Sequence, residues 1–366
     1  MTNFVKKLFV METLFNILKE SRQARQLKMR EVAANIGIDQ ALVSKIESGE
    51  RLPTAEQIKA LSELYQLDYQ KLKIQWLAQK VLNIVQYESL ALETLRVAES
   101  RVEYLRSSHA LEVPVLASDL QEKLEAIDLL RDQWQSKIPL DATQLEKMKE
   151  YFNIEYTFES NRIEGNTLTL QETQLVVNEG LTINGKSMKE HLEAINHAEA
   201  VDFIIQLAGN QEDLTRRTLL ELHSLILKSI DKNNAGRYRQ VPVRVSGSRH
   251  EPPQPFLLNK MMEDYFIHYR QQKGALHPVI LAAEMHERLV SIHPFIDGNG
   301  RTARLVMNLL LLRKGYTVAN LKGDEASRMA YYRALEKVQI DNEPEAFHHL
   351  VADAETVSLK AHLALI

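Results

Sequence analysis

Within the twelve residues from His293 to Arg304, the run His293-Pro294-Phe295-Ile296-Asp297-Gly298-Asn299-Gly300-Arg301 and the later Arg304 bring together an imidazole, a carboxylate, a glycine pair and two guanidiniums. Gly298-Asn299-Gly300 lets the backbone turn at positive φ, so that successive N–H groups can converge at the start of a following helix. Such a nest receives an anion, above all a phosphate. Arg301 and Arg304, at i and i+3, share a helix face and point toward that end. Asp297 would repel a lone phosphate unless a hard divalent cation bridges them, as magnesium does with one or two carboxylates and the phosphates of a nucleotide. A free imidazole at His293 then suits the removal of a proton from an attacking hydroxyl.

The elements that must position these groups are helical. From Pro278 to Ile292, the residues Ile280, Leu281, Met285, Leu289 and Ile292 recur at spacings compatible with a buried stripe. Pro294 should end that helix, because the residue before a proline is pushed out of the helical region, and His293 then faces what the loop encloses. A second helix should run from Arg301 to about Arg313, with its apolar stretch Leu305 to Leu312 in the core. Upstream, a helix beginning near Pro139 to Thr143 should reach Ile163 and stop at Gly165 in a left-handed cap. Ser160 and Glu164 share a face of it, and Glu164 sits at the negative end of the helix dipole, where something positive is wanted. Thr169 and Glu172 form a capping box for the next helix, and residues 187–208 and 213–230 read as further amphipathic helices. The one departure from helix is 236–253, where Val243 and Val245 alternate with Arg244 and Ser246-Gly247 suits a turn. We read it as a short hairpin with an open edge able to dock an extended peptide. Arg237, Arg239 and Arg249 read as solvated.

At these positions the chain resembles the Fic-domain family of nucleotidyl and phosphoryl transferases. That family's signature, His-Pro-Phe-x-Asp/Glu-Gly-Asn-Gly-Arg-x-x-Arg, is matched at every specified position from His293 to Arg304, and the resemblance extends over about residues 140–350. It implies transfer of AMP from ATP, with Mg2+, to a Ser, Thr or Tyr hydroxyl of a target protein or of the chain itself. On this resemblance His293 is the base and Asp297 holds the metal. The nest Gly298-Asn299-Gly300 with Arg301 binds the α- and β-phosphates, and Arg304 reaches the γ-phosphate. Ser160-Asn161-Arg162-Ile163-Glu164-Gly165-Asn166 is similar to the family's inhibitory motif, Ser/Thr-x-x-x-Glu-Gly/Asn, which implies that Glu164 pairs with Arg304 and withholds it from nucleotide. Val243-Arg244-Val245 corresponds to the flap that aligns the target segment. Tyr331-Tyr332 begins the helix that carries aromatic contacts to the nucleoside, although Gln339 stands where some members have Asn. The rival readings are removal of AMP, with Glu164 positioning a water, and a transcriptional regulator whose Fic-like part only senses nucleotide.

The N-terminal part has a different character. Leu14 to about Tyr65 reads as short helices with Gly37 in a tight turn, Asp39 as a cap, and Thr54 with Gln57 as a capping box. The stretch from Val32 to Gly49 is similar to the lambda-repressor-like (XRE) helix-turn-helix family. On the expected recognition helix Gln40, Ala41, Ser44 and Lys45 could face a major groove, while Asp39 and Glu47 on the same element would repel phosphates. Residues 1–73 hold 12 Lys/Arg and 9 Asp/Glu, a net +3 against −7 for the remainder, the sign expected of a DNA partner. Residues 66–139 read as long helices with little chemistry. The wide apolar face there, made by Leu72, Ile74, Trp76, Leu77, Val81, Leu82 and Val85, suggests burial between domains or across a homodimer interface.

The 366 residues contain no cysteine, which excludes a disulfide framework and a thiolate zinc site. No apolar stretch approaches membrane-spanning length, and Met1 to Phe15 reads as an N-terminal extension rather than a signal peptide, so a cytoplasmic protein is expected. His348, His349 and His362 read as helix-surface or core residues. The expected architecture is all-α with a small β-hairpin: a helix-turn-helix domain over 1–72, a helical connector over 73–139 and a catalytic domain over 140–366.

Overall fold

The computed structural model describes residues 13–107, 116–138 and 141–366, so the first twelve residues, residues 108–115 and the helix entry at Pro139 lie outside it. The chain divides into two compact units, Met1–Arg106 and Ser107–Ile366.

In the first unit α1 (Leu14–Ala24), α2 (Met29–Ile36), α3 (Gln40–Glu47) and α4 (Ala55–Leu64) enclose a small core that includes Leu14, Leu18, Val32, Val43, Ile46, Ile58 and Leu61. Gly37 closes α2 at φ 69°, and Asp39 caps α3 by accepting from the Ala41 N–H at 2.6 Å. Thr54 and Gln57 form the reciprocal box that opens α4. α5 (Tyr69–Val85) adds Leu72 and Trp76 to this core, and the Trp76 indole N–H donates to the Pro53 carbonyl at 2.8 Å. Of the wide apolar face expected on α5, Leu72, Trp76 and Val85 are buried, whereas Ile74, Leu77, Val81 and Leu82 are exposed. α6 (Ala91–Ser107) follows.

The second unit holds α7 (Ser118–Ser136), α8 (Ala142–Ile163), α9 (Leu170–Glu179), α10 (Met188–Gly209), α11 (Arg216–Leu227), α12 (Leu258–Gln272), α13 (Pro278–Ile292), α14 (Asn299–Leu312), α15 (Glu325–Glu336) and α16 (Glu345–Leu363). α13 and α14 form its central pair. α8, α10 and α11 pack on α14 or on one another, and α12 and α16 pack on α13. α14 is enclosed by its neighbours, its polar first turns as well as its apolar Leu305–Leu312 stretch: all but one of its residues from Asn299 to Leu311 are buried. α7 packs along α16 and contributes Leu120, Leu124, Ile127 and Trp134 to the same core.

The expected hairpin does not form strands. Ser246-Gly247 makes the turn, with Gly247 at φ 79° and the Ser248 N–H donating to the Val245 carbonyl, but no ladder follows among the described residues. Pro242 on one arm and Pro252 and Pro253 on the other have no N–H to donate, which removes the bonds that would have paired the arms. Arg244 and Glu251 face each other across them at 3.6 Å.

Candidate active site

The loop between α13 and α14 carries the chemistry. α13 ends at Ile292, and His293 takes a left-handed conformation, φ 49° and ψ 58°, uncommon for a residue with a side chain. Its Nδ1 lies 3.3 Å from the Val290 carbonyl. A carbonyl can only accept, so Nδ1 carries the proton and Nε2 keeps the lone pair that a base needs. Burial pushes the imidazole below its usual range, and the Arg239 guanidinium and His250 act in the same direction against the Val290 carbonyl and Glu164.

The loop is clamped from inside. The Asn299 side chain accepts from the Phe295 N–H and donates to the Phe295 carbonyl, both at 3.0 Å. Phe295 stacks on the His223 ring at 3.6 Å. His223 accepts the Gly236 N–H at Nδ1, so its Nε2–H donates to the Asp297 carbonyl at 3.0 Å; burial holds it at about 4 and therefore neutral. Gly298 turns the chain at φ 78°, and α14 begins at Asn299, two residues earlier than the sequence suggested. The first intrahelical donor is Thr302, so the N–H groups of Asn299, Gly300 and Arg301 are left for an outside acceptor. The Asn299 amide itself is taken up by the loop and contributes to the nest through its backbone.

Arg301 is 2% exposed, yet its Nε and Nη1 have no hydrogen-bond acceptor. Glu193 stands 3.4 Å from Nη1 and Asp297 3.4 Å from Nη2. A buried guanidinium with donors to spare beside a helix N-terminus is suited to hold an anion. Arg304 is held instead: Nε donates to Ser160 Oγ at 3.0 Å, and Nη2 donates to the Ser160 carbonyl at 2.9 Å and to Glu164 Oε1 at 2.7 Å. Burial works against its charge, but Glu164 and the neighbouring tyrosines outweigh it and hold the guanidinium above its usual range. Glu164 caps the C-terminal end of α8, and Gly165 turns away at φ 93°. A Cβ on Gly300 would collide with Glu164 Oε1, so the carboxylate lies against the nest.

Asp297 is exposed and bonds the Gly298 N–H through Oδ1 at 2.6 Å. Its Oδ2 has Lys189 at 4.0 Å and is open for a hard cation. The two tyrosines separate. Tyr331 is 3% exposed, with its hydroxyl between Arg304 and His286, so it has no open ring face for a base. Tyr332 is exposed and donates to the Ile163 carbonyl at 3.1 Å.

Arg239 overturns the reading of a solvated side chain. It is 2% exposed and bonds three main-chain carbonyls, one of them that of His293. Arg249 pairs with Glu336 at 2.7 Å, and Arg237 is exposed as expected. Val243, Arg244 and Val245 lie on the first arm, ahead of the Ser246-Gly247 turn. His223, Glu193 and Lys189 were not singled out from sequence. A histidine between Leu222 and Ile226 on an apolar face was the one available signal.

In the N-terminal unit Gln40, Ala41, Ser44 and Lys45 are all exposed along one side of α3. The expected repulsion by acids on that helix is largely absorbed. Glu47 is buried and forked by Arg22 at 2.6 and 2.8 Å, and Asp39 is spent on the cap.

These features define an all-helical unit built around a helix–loop–helix anion site, preceded by a helix-turn-helix unit. The family model described as Fic/DOC family matches residues 213–311, and a helix-turn-helix model matches residues 18–72. The chain thus carries a Fic/DOC domain and an N-terminal helix-turn-helix domain. It is 33% identical over 283 residues to the protein adenylyltransferase Fic of Drosophila grimshawi, covering 77% of this chain and 57% of that protein. The Drosophila melanogaster protein of the same name is 33% identical over 282 residues, covering 77% and 56%. The chain therefore spans a little over half the length of these relatives. Among solved structures, a Fic-domain-containing signaling protein of Bacteroides thetaiotaomicron is similar at 29% identity and a TM-score of 0.58, over 65% of this chain and 97% of that one. Fic-1 of C. elegans shares the fold at 24% identity and a TM-score of 0.61, over 92% and 96%.

Proposed function

We propose that the chain is a protein adenylyltransferase that moves AMP from Mg-ATP to a Ser, Thr or Tyr hydroxyl of a target protein or of itself, restrained by Glu164. The hydroxyl oxygen attacks the α-phosphorus, its proton passes to His293 Nε2, the bond to the β-phosphate oxygen breaks, and pyrophosphate leaves. Asp297 is the residue suited to hold Mg2+, which would neutralise phosphate charge. The three open N–H groups of α14 and the idle donors of Arg301 suit the α- and β-phosphates, and Arg304, once freed, suits the γ-phosphate. Chemistry of this kind depends mainly on positioning and electrostatics, and the site offers both without a covalent nucleophile. The observation that carries the reading is the Arg301 guanidinium, buried with unmet donors on the helix that follows a His293 imidazole whose Nδ1 faces a carbonyl and leaves Nε2 the lone pair. Mass spectrometry of the protein incubated with Mg-ATP should find AMP added to a hydroxyl, and His293→Ala should abolish it. AMP released from a pre-modified protein without ATP would instead favour removal.

A second reading concerns the N-terminal unit, which we assign to DNA binding. Four exposed side chains on α3 and the neutralised Glu47 support it. The two activities can coexist in one chain.

A further inference from the structure

Arg239 is a buried cation whose guanidinium meets only backbone. Its Nε donates to the His293 carbonyl at 2.8 Å, Nη1 to the Val241 carbonyl at 3.0 Å and Nη2 to the Pro253 carbonyl at 2.6 Å. Its own N–H donates to the Pro294 carbonyl at 2.9 Å. No carboxylate pairs with it among the described residues, and burial holds its pKa below the usual range. A desolvated charge without an ionic partner is costly, and replacing it with an apolar side chain would remove that cost. The geometry shows what the charge achieves: two of the four carbonyls belong to His293 and Pro294, and the other two, Val241 and Pro253, stand at the two ends of the flap.

His293 needs such a clamp. A non-glycine residue at φ 49° is strained and persists only where its surroundings over-determine it. The flap's second arm adds another tie, since the His250 Nε2–H donates to the Ser291 carbonyl at 2.8 Å. Gly236, three residues before Arg239, is joined through His223 to the Asp297 carbonyl. The segment that would carry the target and the loop that carries the base are thereby fastened at several points, with Arg239 at the centre.

We propose that Arg239 is a positioning residue that fixes the flap and the His293 backbone as one rigid unit, so that a hydroxyl laid along residues 241–248 arrives in register with Nε2. This rests on the transferase reading above. It differs from a general structural role in predicting a loss of turnover without a loss of nucleotide binding, because Arg301, Arg304 and the nest are not touched by Arg239.

The test uses the full chain carrying Glu164→Gly, with self-labelling by Mg-ATP radiolabelled at the α-phosphate. Arg239→Lys keeps the charge but replaces a three-acceptor fork by a single ammonium, and Arg239→Ala removes both. Turnover should fall by about 100-fold in Arg239→Ala and by less in Arg239→Lys, the loss typical of a displaced reacting group, while the KM for ATP is unchanged. Unchanged turnover in both variants overturns the proposal. So does a loss in which turnover, ATP affinity by calorimetry and melting temperature all fall together in Arg239→Lys. A readout independent of turnover is the rate at which diethyl pyrocarbonate modifies His293, followed by mass spectrometry. It should rise severalfold in Arg239→Lys, and an equal rate refutes the clamp. If the Glu164→Gly parent takes no label, the self-modification arm of the transferase reading fails, and the modification rate alone decides this one.

Discussion

Glu164→Gly is the most informative perturbation of this protein. The substitution removes the 2.7 Å contact to Arg304 Nη2, in a pair whose side chains are 1% exposed at Arg304 and 33% at Glu164. It therefore lies between an exposed ion pair, worth about 0.2–1 kcal/mol, and a fully desolvated one, whose rupture costs about 3–5 kcal/mol. Arg304 would still donate to Ser160 Oγ and the Ser160 carbonyl, which moves the value below the buried limit. We take about 2 kcal/mol, or about 30-fold in the competition between carboxylate and phosphate. Glycine at a helix end adds little cost of its own. The assay is the initial rate of AMP incorporation into the chain at ATP below its KM, in wild type, Glu164→Gly and Glu164→Gln. Glutamine keeps the bulk against Gly300 but not the charge, so it should recover most of the gain if the ion pair is the restraint and little if occupancy of the nest is. Equal rates in wild type and Glu164→Gly would falsify the restraint altogether.

Three further outcomes follow from other parts of the molecule. Because burial holds His293 below 6.5, and a protonated imidazole cannot take a proton, labelling by Glu164→Gly should be lost only as pH falls through a midpoint under 6.5. A midpoint above 7 would point to another base. Glu355 is buried, accepts from the Thr317 N–H and hydroxyl, and is pushed up from 4.5 to about 8. An acid raised on folding stabilises least once ionised, so stability should decline as pH rises from 4.5 through 8, and Glu355→Gln should flatten that decline in melting curves taken across the range. In the N-terminal unit, Lys45→Ala should weaken the gel shift of a fragment upstream of the chain's own coding sequence and reduce the salt slope by about 1, as for loss of one phosphate contact. An unchanged slope would remove Lys45 from the interface.

Much of the fold was legible because its signals are local. The helix boundaries follow from caps and breakers: Asp39, Thr54 and Thr169 open helices, and Gly37 and Gly165 close them at positive φ. Pro294 correctly ended α13. The hairpin misled because alternation of Val243 and Val245 describes side chains, while a ladder depends on N–H groups that Pro242, Pro252 and Pro253 lack. Arg239, Glu47 and Tyr331 misled for another reason. Arg239 and Glu47 read as charges facing solvent or DNA and Tyr331 as a ring open to a nucleoside, and each is buried, with a partner 54, 25 or 27 residues away.

The sequence by itself determined the reacting groups, His293, Asp297, the nest and two arginines, because a turn and the helix after it hold them within twelve residues of one another. It also determined the need for a cation at Glu164, since the end of a helix carries a fixed partial charge wherever it lies. The tertiary structure decided that Ser160 shares in holding Arg304, which donors of Arg301 stay idle, and that Arg239 reaches the carbonyl of His293. Those outcomes depend on distances between helices far apart in the chain, and no local spacing encodes them.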